Sequence, residues 1–274
     1  MKAKTKSRIA FGIAGALALA LLAFLAALWW FAFRATSTDP NPNGAADAVE
    51  VVLSDGTAVE TEGIDWDYWL SVNPEIVGWI RVPGTGIDYP IVHAPDWDPD
   101  YYLHHDVYND YNPMGSIYLD CECDGLFSGG NSVIFGHHYS DTMFAPMSNY
   151  SDAAWAREHR TILMFTPDGE THVLDVQSAD VIRGTEPVKR TTFSDRGDLM
   201  AYWQERFGAC DMKLADEAQE TSQLFMFVTC SYNFWPDNER TTTFAIEDDM
   251  AQQLENEASD ASSAISSGSQ RNQQ

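Results

Sequence analysis

Between residues 61 and 250 the chain breaks into short strand-like runs, each stopped within a few residues by Pro, Gly or Asp. That punctuation limits the possible folds more than any other feature. Runs at 77–82, 87–92, 115–119, 132–135, 161–165, 172–176, 224–230 and 240–246 carry the apolar and β-branched residues of half-buried or buried strands. Pro83-Gly84 marks a turn, Pro167-Asp168-Gly169 marks a hairpin, and Asn238-Glu239 reads as a turn ahead of the last run. Two segments have helical spacing. Residues 64–70 place aromatics and Leu70 on one face, and Ser194-Asp195 can cap a helix through Leu199, Met200, Trp203 and Phe207. Many short strands with closely spaced turns predict a mainly β domain, a small barrel or a sandwich decorated by helices.

Ahead of this domain stand Lys2, Lys4, Lys6 and Arg8 without an acid, then 25 uncharged residues at 9–33, then Arg34. A bilayer-crossing helix needs about 20 apolar residues. The apolar core of a cleaved secretory signal is shorter, about 7–15 residues. Trp29, Trp30 and Phe31 lie where an aromatic belt meets the outer interface. The positive-inside rule then predicts a cytoplasmic basic tail at 1–8, a single-pass transmembrane anchor at 9–33 and an extracytoplasmic remainder held at the cell membrane. Residues 34–60 read as a linker rich in Asp, Asn, Pro and Gly. Residues 61–250 form the folded domain, and 251–274, rich in Ser, Gln and Asn, read as a disordered tail. All 41 acidic residues lie beyond Arg34 in a chain of net charge −25, which excludes nucleic acid and anionic lipid headgroups as partners. The acids are dispersed, as on a solvated surface.

The chemistry-bearing residues stand at strand ends. Residues 224–230 form an apolar run that delivers a thiol, Cys230, at its end, and Arg240 opens the next run. Residues 133–135 lead through Gly136 into His137. A nucleophilic thiol, a titrating imidazole and a permanent positive charge are what thiol-based acyl transfer requires. Cys121-Glu122-Cys123 looks like half a metal site, but no second Cys/His pair stands at ligand spacing, and no metal is expected. A disulfide from Cys121 or Cys123 to Cys210 is permitted outside the membrane. His104, His105 and His159 read as structural or surface residues. No Gly-rich phosphate loop is present, and the chain calls for no cofactor.

In order along the chain, several motifs resemble those of the class B sortases, membrane-anchored cysteine transpeptidases of Gram-positive bacteria. They are Asn73-Pro74-Glu75-Ile76-Val77-Gly78-Trp79-Ile80, Pro83-Gly84-Thr85, residues 87–92, Tyr101-Tyr102-Leu103-His104-His105-Asp106, residues 115–120, Val133-Ile134-Phe135-Gly136-His137, Val228-Thr229-Cys230 and Arg240. The resemblance covers residues 64–249. It implies a closed sortase-type β-barrel with amino-terminal helices, plus a helix in the loop before the cysteine strand, here near 194–208. It also implies catalytic roles for Cys230, His137 and Arg240, and places Leu103 and Thr229 along the substrate groove. Similar enzymes usually carry Asn after the Gly-His pair where His138 stands here, and a small polar residue where Val228 stands.

The activity so implied is cleavage of an LPxTG-like or NPxTx-like sorting signal after Thr through a thioester. The acyl group then passes to an amine of a lipid-linked peptidoglycan precursor or a pilin. Partners would be a sorting-signal-bearing surface protein, that amine, and the membrane through residues 9–33. The alternatives are a cysteine peptidase that hydrolyses the same signal and an idle, membrane-tethered binding or scaffold protein.

Overall fold

The computed structural model describes residues 48–53, 56–231 and 238–248. The anchor expected at 9–33, the basic tail at 1–8, most of the linker and the tail at 251–274 lie outside the described residues. Among the described residues, no helix is long and apolar enough to cross a membrane.

The chain begins with β1 (Val49–Val52) and β2 (Ala58–Thr61), then α1 (Trp66–Val72). Next come β3 (Ile76–Arg81), β4 (Asp88–His93), a 3-10 turn at Tyr101–Leu103, β5 (Ile117–Leu119) and β6 (Gly130–Phe135). A short hairpin of β7 (His138–Tyr139) and β8 (Thr142–Met143) follows, then a 3-10 segment (Ala145–Ser151) and α2 (Ala153–Glu158). The second half comprises β9 (Thr161–Phe165), β10 (Thr171–Arg183), α3 (Arg196–Ala209), β11 (Met212–Lys213), β12 (Gln223–Ser231) and β13 (Glu239–Glu247).

Eight strands pair in the order β10-β13-β12-β6-β5-β4-β3-β9, and β9 pairs back on β10, so the sheet closes into a barrel. Closure removes the unpaired edges that an open sheet would expose. Two of the pairings, β4 with β5 and β6 with β12, are parallel; the others around the ring are antiparallel. β11 attaches outside the ring to the far half of β10.

Local chemistry places the helices. Asp65 caps α1 by accepting from the Tyr68 N–H at 3.0 Å, and fully buried Trp69 packs edge-on to Trp79 of β3, centroids 5.2 Å apart. Asp195 caps α3 through the Asp198 N–H at 2.9 Å. From α3, Trp203 reaches Phe244 of β13, with centroids 5.7 Å apart.

Three sequence expectations need amendment, and the disulfide state that the sequence left open is resolved. Within the stretch read as linker, β1 and β2 form an antiparallel hairpin whose Val51 is fully buried, because Val51 is one of the few apolar side chains there that can reach the core. β10 runs past residue 176 to Arg183, with a bulge between Val176 and Ser178 that carries polar Gln177 and Ser178 into buried positions. Glu239 is not part of a turn; it is a buried strand residue paired with Ser231. All four cysteines are free, and no bridge joins Cys210 to Cys121 or Cys123. The Cys123 thiol is instead engaged by β6, accepting from the Val133 N–H at 3.3 Å.

Candidate active site

The side chains that sequence reading singled out meet where β6 and β12 end and β13 begins. On β12, Met226, Val228 and Cys230 share one face, because side chains alternate along a strand. Their partners on β13 are Phe244, Thr242 and Arg240, and Cys230 stands directly opposite Arg240. Facing residues on an antiparallel pair project to the same side, so the thiol and the guanidinium leave the sheet together. Both are partly buried.

His137 arrives from the neighbouring strand. β6 runs parallel to β12 as far as the pair Phe135–Val228, and Gly136 N–H then donates to the Val228 carbonyl at 3.1 Å. Gly136 has no room for a side chain: a Cβ there would sit 2.5 Å from Ile117 Cδ1 and from Phe144 Cγ. The glycine lets β6 pass beneath these side chains and release His137 level with Cys230.

The 3-10 turn orients the imidazole. His137 Nε2 lies 2.9 Å from the Leu103 carbonyl, and a carbonyl can only accept, so Nε2 carries the hydrogen and Nδ1 is left as the acceptor. Gly115, at φ +57°, supports that carbonyl from behind. A Cβ there would stand 2.8 Å from Leu103 O, so only glycine permits the approach.

A cavity of about 410 Å³ gathers these groups, and Cys230, His137, Arg240, Leu103 and Thr229 all line it. His138 does not line this cavity; its Nδ1 lies 2.9 Å from the Cys230 carbonyl. The wall also includes Asp100, Tyr118, Asp120 and Lys189, none of which sequence reading assigned to the site. Burial, together with the Asp100 and Asp120 carboxylates, pushes the Tyr118 phenol well above its ordinary range although Arg240 pulls it back, so the phenol stays protonated. Lys189 bridges Asp120 at 2.9 Å and Glu122 at 3.0 Å. Burial opposes its charge, but the hydrogen bonds it donates to both carboxylates outweigh burial and hold the ammonium above its usual value. The pair fastens the segment ahead of α3 to the end of β5, aided by Asn131 Nδ2–H donating to the Arg190 carbonyl at 3.0 Å. The one sequence signal for Lys189 was its rarity as a cation in an acidic chain.

Among the described residues, no cluster of His, Cys, Asp or Glu could hold a metal ion. What the cavity presents is a thiol, an imidazole with an available nitrogen, a fixed positive charge and a protonated phenol. Nucleophilic attack on a carbonyl, with proton transfer and oxyanion stabilisation, is chemistry this set can perform.

No family model matches the sequence. The chain is 32% identical over 142 residues to the sortase B of Listeria monocytogenes, covering 50% of this chain and 57% of that protein. It is 29% identical over 135 residues to the sortase B of Staphylococcus aureus, covering 49% and 54% respectively. The match thus spans just over half the length of these curated relatives. The X-ray structure of Clostridium perfringens sortase B superposes with a TM-score of 0.61 at 28% identity, covering 67% of this chain and 99% of that one.

Proposed function

We propose that this chain, a homologue of the class B sortases, is a cysteine transpeptidase that cleaves an LPxTG-like or NPxTx-like sorting signal after Thr. It transfers the acyl group to an amine of a lipid-linked peptidoglycan precursor or a pilin. The observation that carries this reading is the placement of Cys230 directly across from Arg240, with His137 lining the same cavity.

Cys230 yields its proton to Nδ1 of His137, because the thiolate rather than the thiol is the nucleophile. The thiolate attacks the Thr carbonyl, and charge collects on the carbonyl oxygen. Arg240 cannot lose its proton and offers a planar fork of donors to that oxygen. The imidazolium then protonates the departing amine as the C–N bond breaks, leaving a thioester on Cys230. An incoming amine gives a proton back to Nδ1, forms the new amide and expels the thiolate, which regains its proton. Leu103 and Thr229 border the peptide. Residues 9–33 tether the enzyme outside the membrane, where confinement to one surface with a lipid-linked acceptor raises effective concentration.

The test incubates the full-length chain with fluorogenic sorting-signal peptides, with and without an amine, and reads products by mass spectrometry. An amide product that vanishes in Cys230→Ala and His137→Ala supports transfer. Cleavage with no amide at any amine concentration makes the protein a peptidase. No cleavage and no thiol acylation would refute catalysis by this site.

A further inference from the structure

β6 and β12 stay in parallel register from the pair Gly130–Gln223 to Phe135–Val228. The ladder reaches one rung further, Gly136 N–H to Val228 O at 3.1 Å, before the chain leaves through the hairpin of β7 and β8. In a continuing parallel ladder, Cys230 N–H would bond the Gly136 carbonyl, and the residue-138 N–H would bond the Cys230 carbonyl. Side chains take both acceptors instead. Thr229 Oγ1–H donates to Gly136 O at 3.0 Å, and His138 Nδ1 lies 2.9 Å from Cys230 O. Since a carbonyl only accepts, His138 carries its hydrogen on Nδ1.

We propose that His138 is a positioning residue: its imidazole supplies the missing ladder rung and holds the main chain of Cys230 in place. This rests on the reading of Cys230 as nucleophile. Cys230 is the next-to-last residue of β12, where a strand frays most readily. A carbonyl left without its partner there lets the thiol drift from Arg240, and small misplacements of a reacting atom are expensive. Two carbonyls also fix the adjacent histidines in opposite tautomers. His137 presents Nδ1 as acceptor, whereas the Nδ1 of His138 is committed as a donor. The two rings therefore cannot exchange roles.

The geometry specifies its own rescue. The amide nitrogen of Asn is attached to Cγ, as Nδ1 is in His, so Asn at 138 can donate to the same carbonyl. In Gln the amide lies one bond further out. In transfer assays on the full-length chain, His138→Ala lowers kcat about tenfold with KM nearly unchanged. His138→Asn restores kcat to within about twofold of the wild type, and His138→Gln stays as low as Ala. His138→Ala equal to the wild type, or Asn as impaired as Ala, overturns the proposal. If the Ala variant does not fold, equal rates for Asn and Gln overturn it. A second measurement does not depend on turnover: 15N spectra of histidine-labelled protein, with His138 assigned by its loss in a substitution. Hydrogen on Nδ1 of His138 supports the placement and hydrogen on Nε2 overturns it. A wild type with no transfer activity would sink the proposed function while leaving this arm decisive.

Discussion

Gly136→Ala should strike stability and catalysis together. The added methyl would stand 2.5 Å from both Ile117 Cδ1 and Phe144 Cγ. Ordinary carbon contacts lie at about 3.5–4.0 Å, so roughly 1 Å of relief is needed. Phe144 is fully buried and Ile117 is 1% exposed, so neither has solvent to retreat into. The backbone at 136 is itself pinned, by its N–H to Val228 O and by its carbonyl accepting from Thr229 Oγ1. Overfilling a packed core costs about 1–3 kcal/mol. Loss of one pinning hydrogen bond adds about 1 kcal/mol, for a total of about 2–4 kcal/mol. At about 2–4 °C per kcal/mol for a domain of this size, the melting midpoint should fall by about 4–16 °C. Transfer should fall further than the unfolded fraction explains, because residue 137 is displaced. Gly86→Ala is the control: a Cβ there meets nothing within 4 Å, and its effect should stay within about 1 kcal/mol. Circular dichroism melts of the two variants of the full-length chain decide it. If Gly136→Ala melts within about 1 °C of the control, the argument that packing at 136 sets the histidine is wrong.

Three further outcomes are expected. Arg240→Ala should cut kcat about 10²–10³-fold, and Arg240→Lys should recover little because a point charge lacks the guanidinium fork; transfer kinetics at saturating peptide check this, and full rescue by Lys would contradict it. Burial pushes the Cys123 thiol up to about 12 and the Cys210 thiol to about 11, so iodoacetamide at about pH 8 should label Cys230 at least about tenfold faster than either, by peptide mapping. Asp175 and Arg160 form a bidentate pair, 2.7 Å on its longer arm. Hydrogen bonding raises the arginine further, whereas at Asp175 burial outweighs the pair and lifts the carboxyl above its ordinary 3.8. Arg160 is charged at any usable pH, so the carboxyl decides the slope. A raised folded-state value means the folded form binds the proton more readily. Stability is therefore lost as pH rises from 3.8 through the raised value, and levels off above it. Melting of Asp175→Asn against the wild type should show the gap moving in favour of Asn between acid and neutral pH. A gap that moves the other way would contradict the dominance of burial.

What the sequence could reveal divided along the range of the interactions. α3 was legible because its signals are local: Asp195 at the cap, then Leu199, Met200, Trp203 and Phe207 on one face. Most barrel strands were legible as apolar runs between turns. The far half of β10 was not, because Gln177, Ser178 and Asp180 interrupt the apolar pattern although the strand continues and is covered by β11 and β13. The hairpin of β1 and β2, which buries Val51, was hidden in a composition typical of linkers. Cys230, His137 and Arg240 could be named from motif order, but their convergence depends on the parallel pairing of β6 with β12. That contact joins residues some 90 positions apart and leaves no periodic trace. Lys189 and the carbonyl partner of His138 belong to the same class, since their meaning lies entirely in non-local neighbours.

The most direct test of the central claim is intact and peptide-level mass spectrometry of the full-length chain, quenched during turnover of a cleaved sorting-signal peptide. The expected adduct is the peptide portion ending at Thr, less one water, mapped to Cys230 and discharged as an amide when an amine is added. Product formation that persists in Cys230→Ala, or an acyl group carried on any other residue, would contradict it.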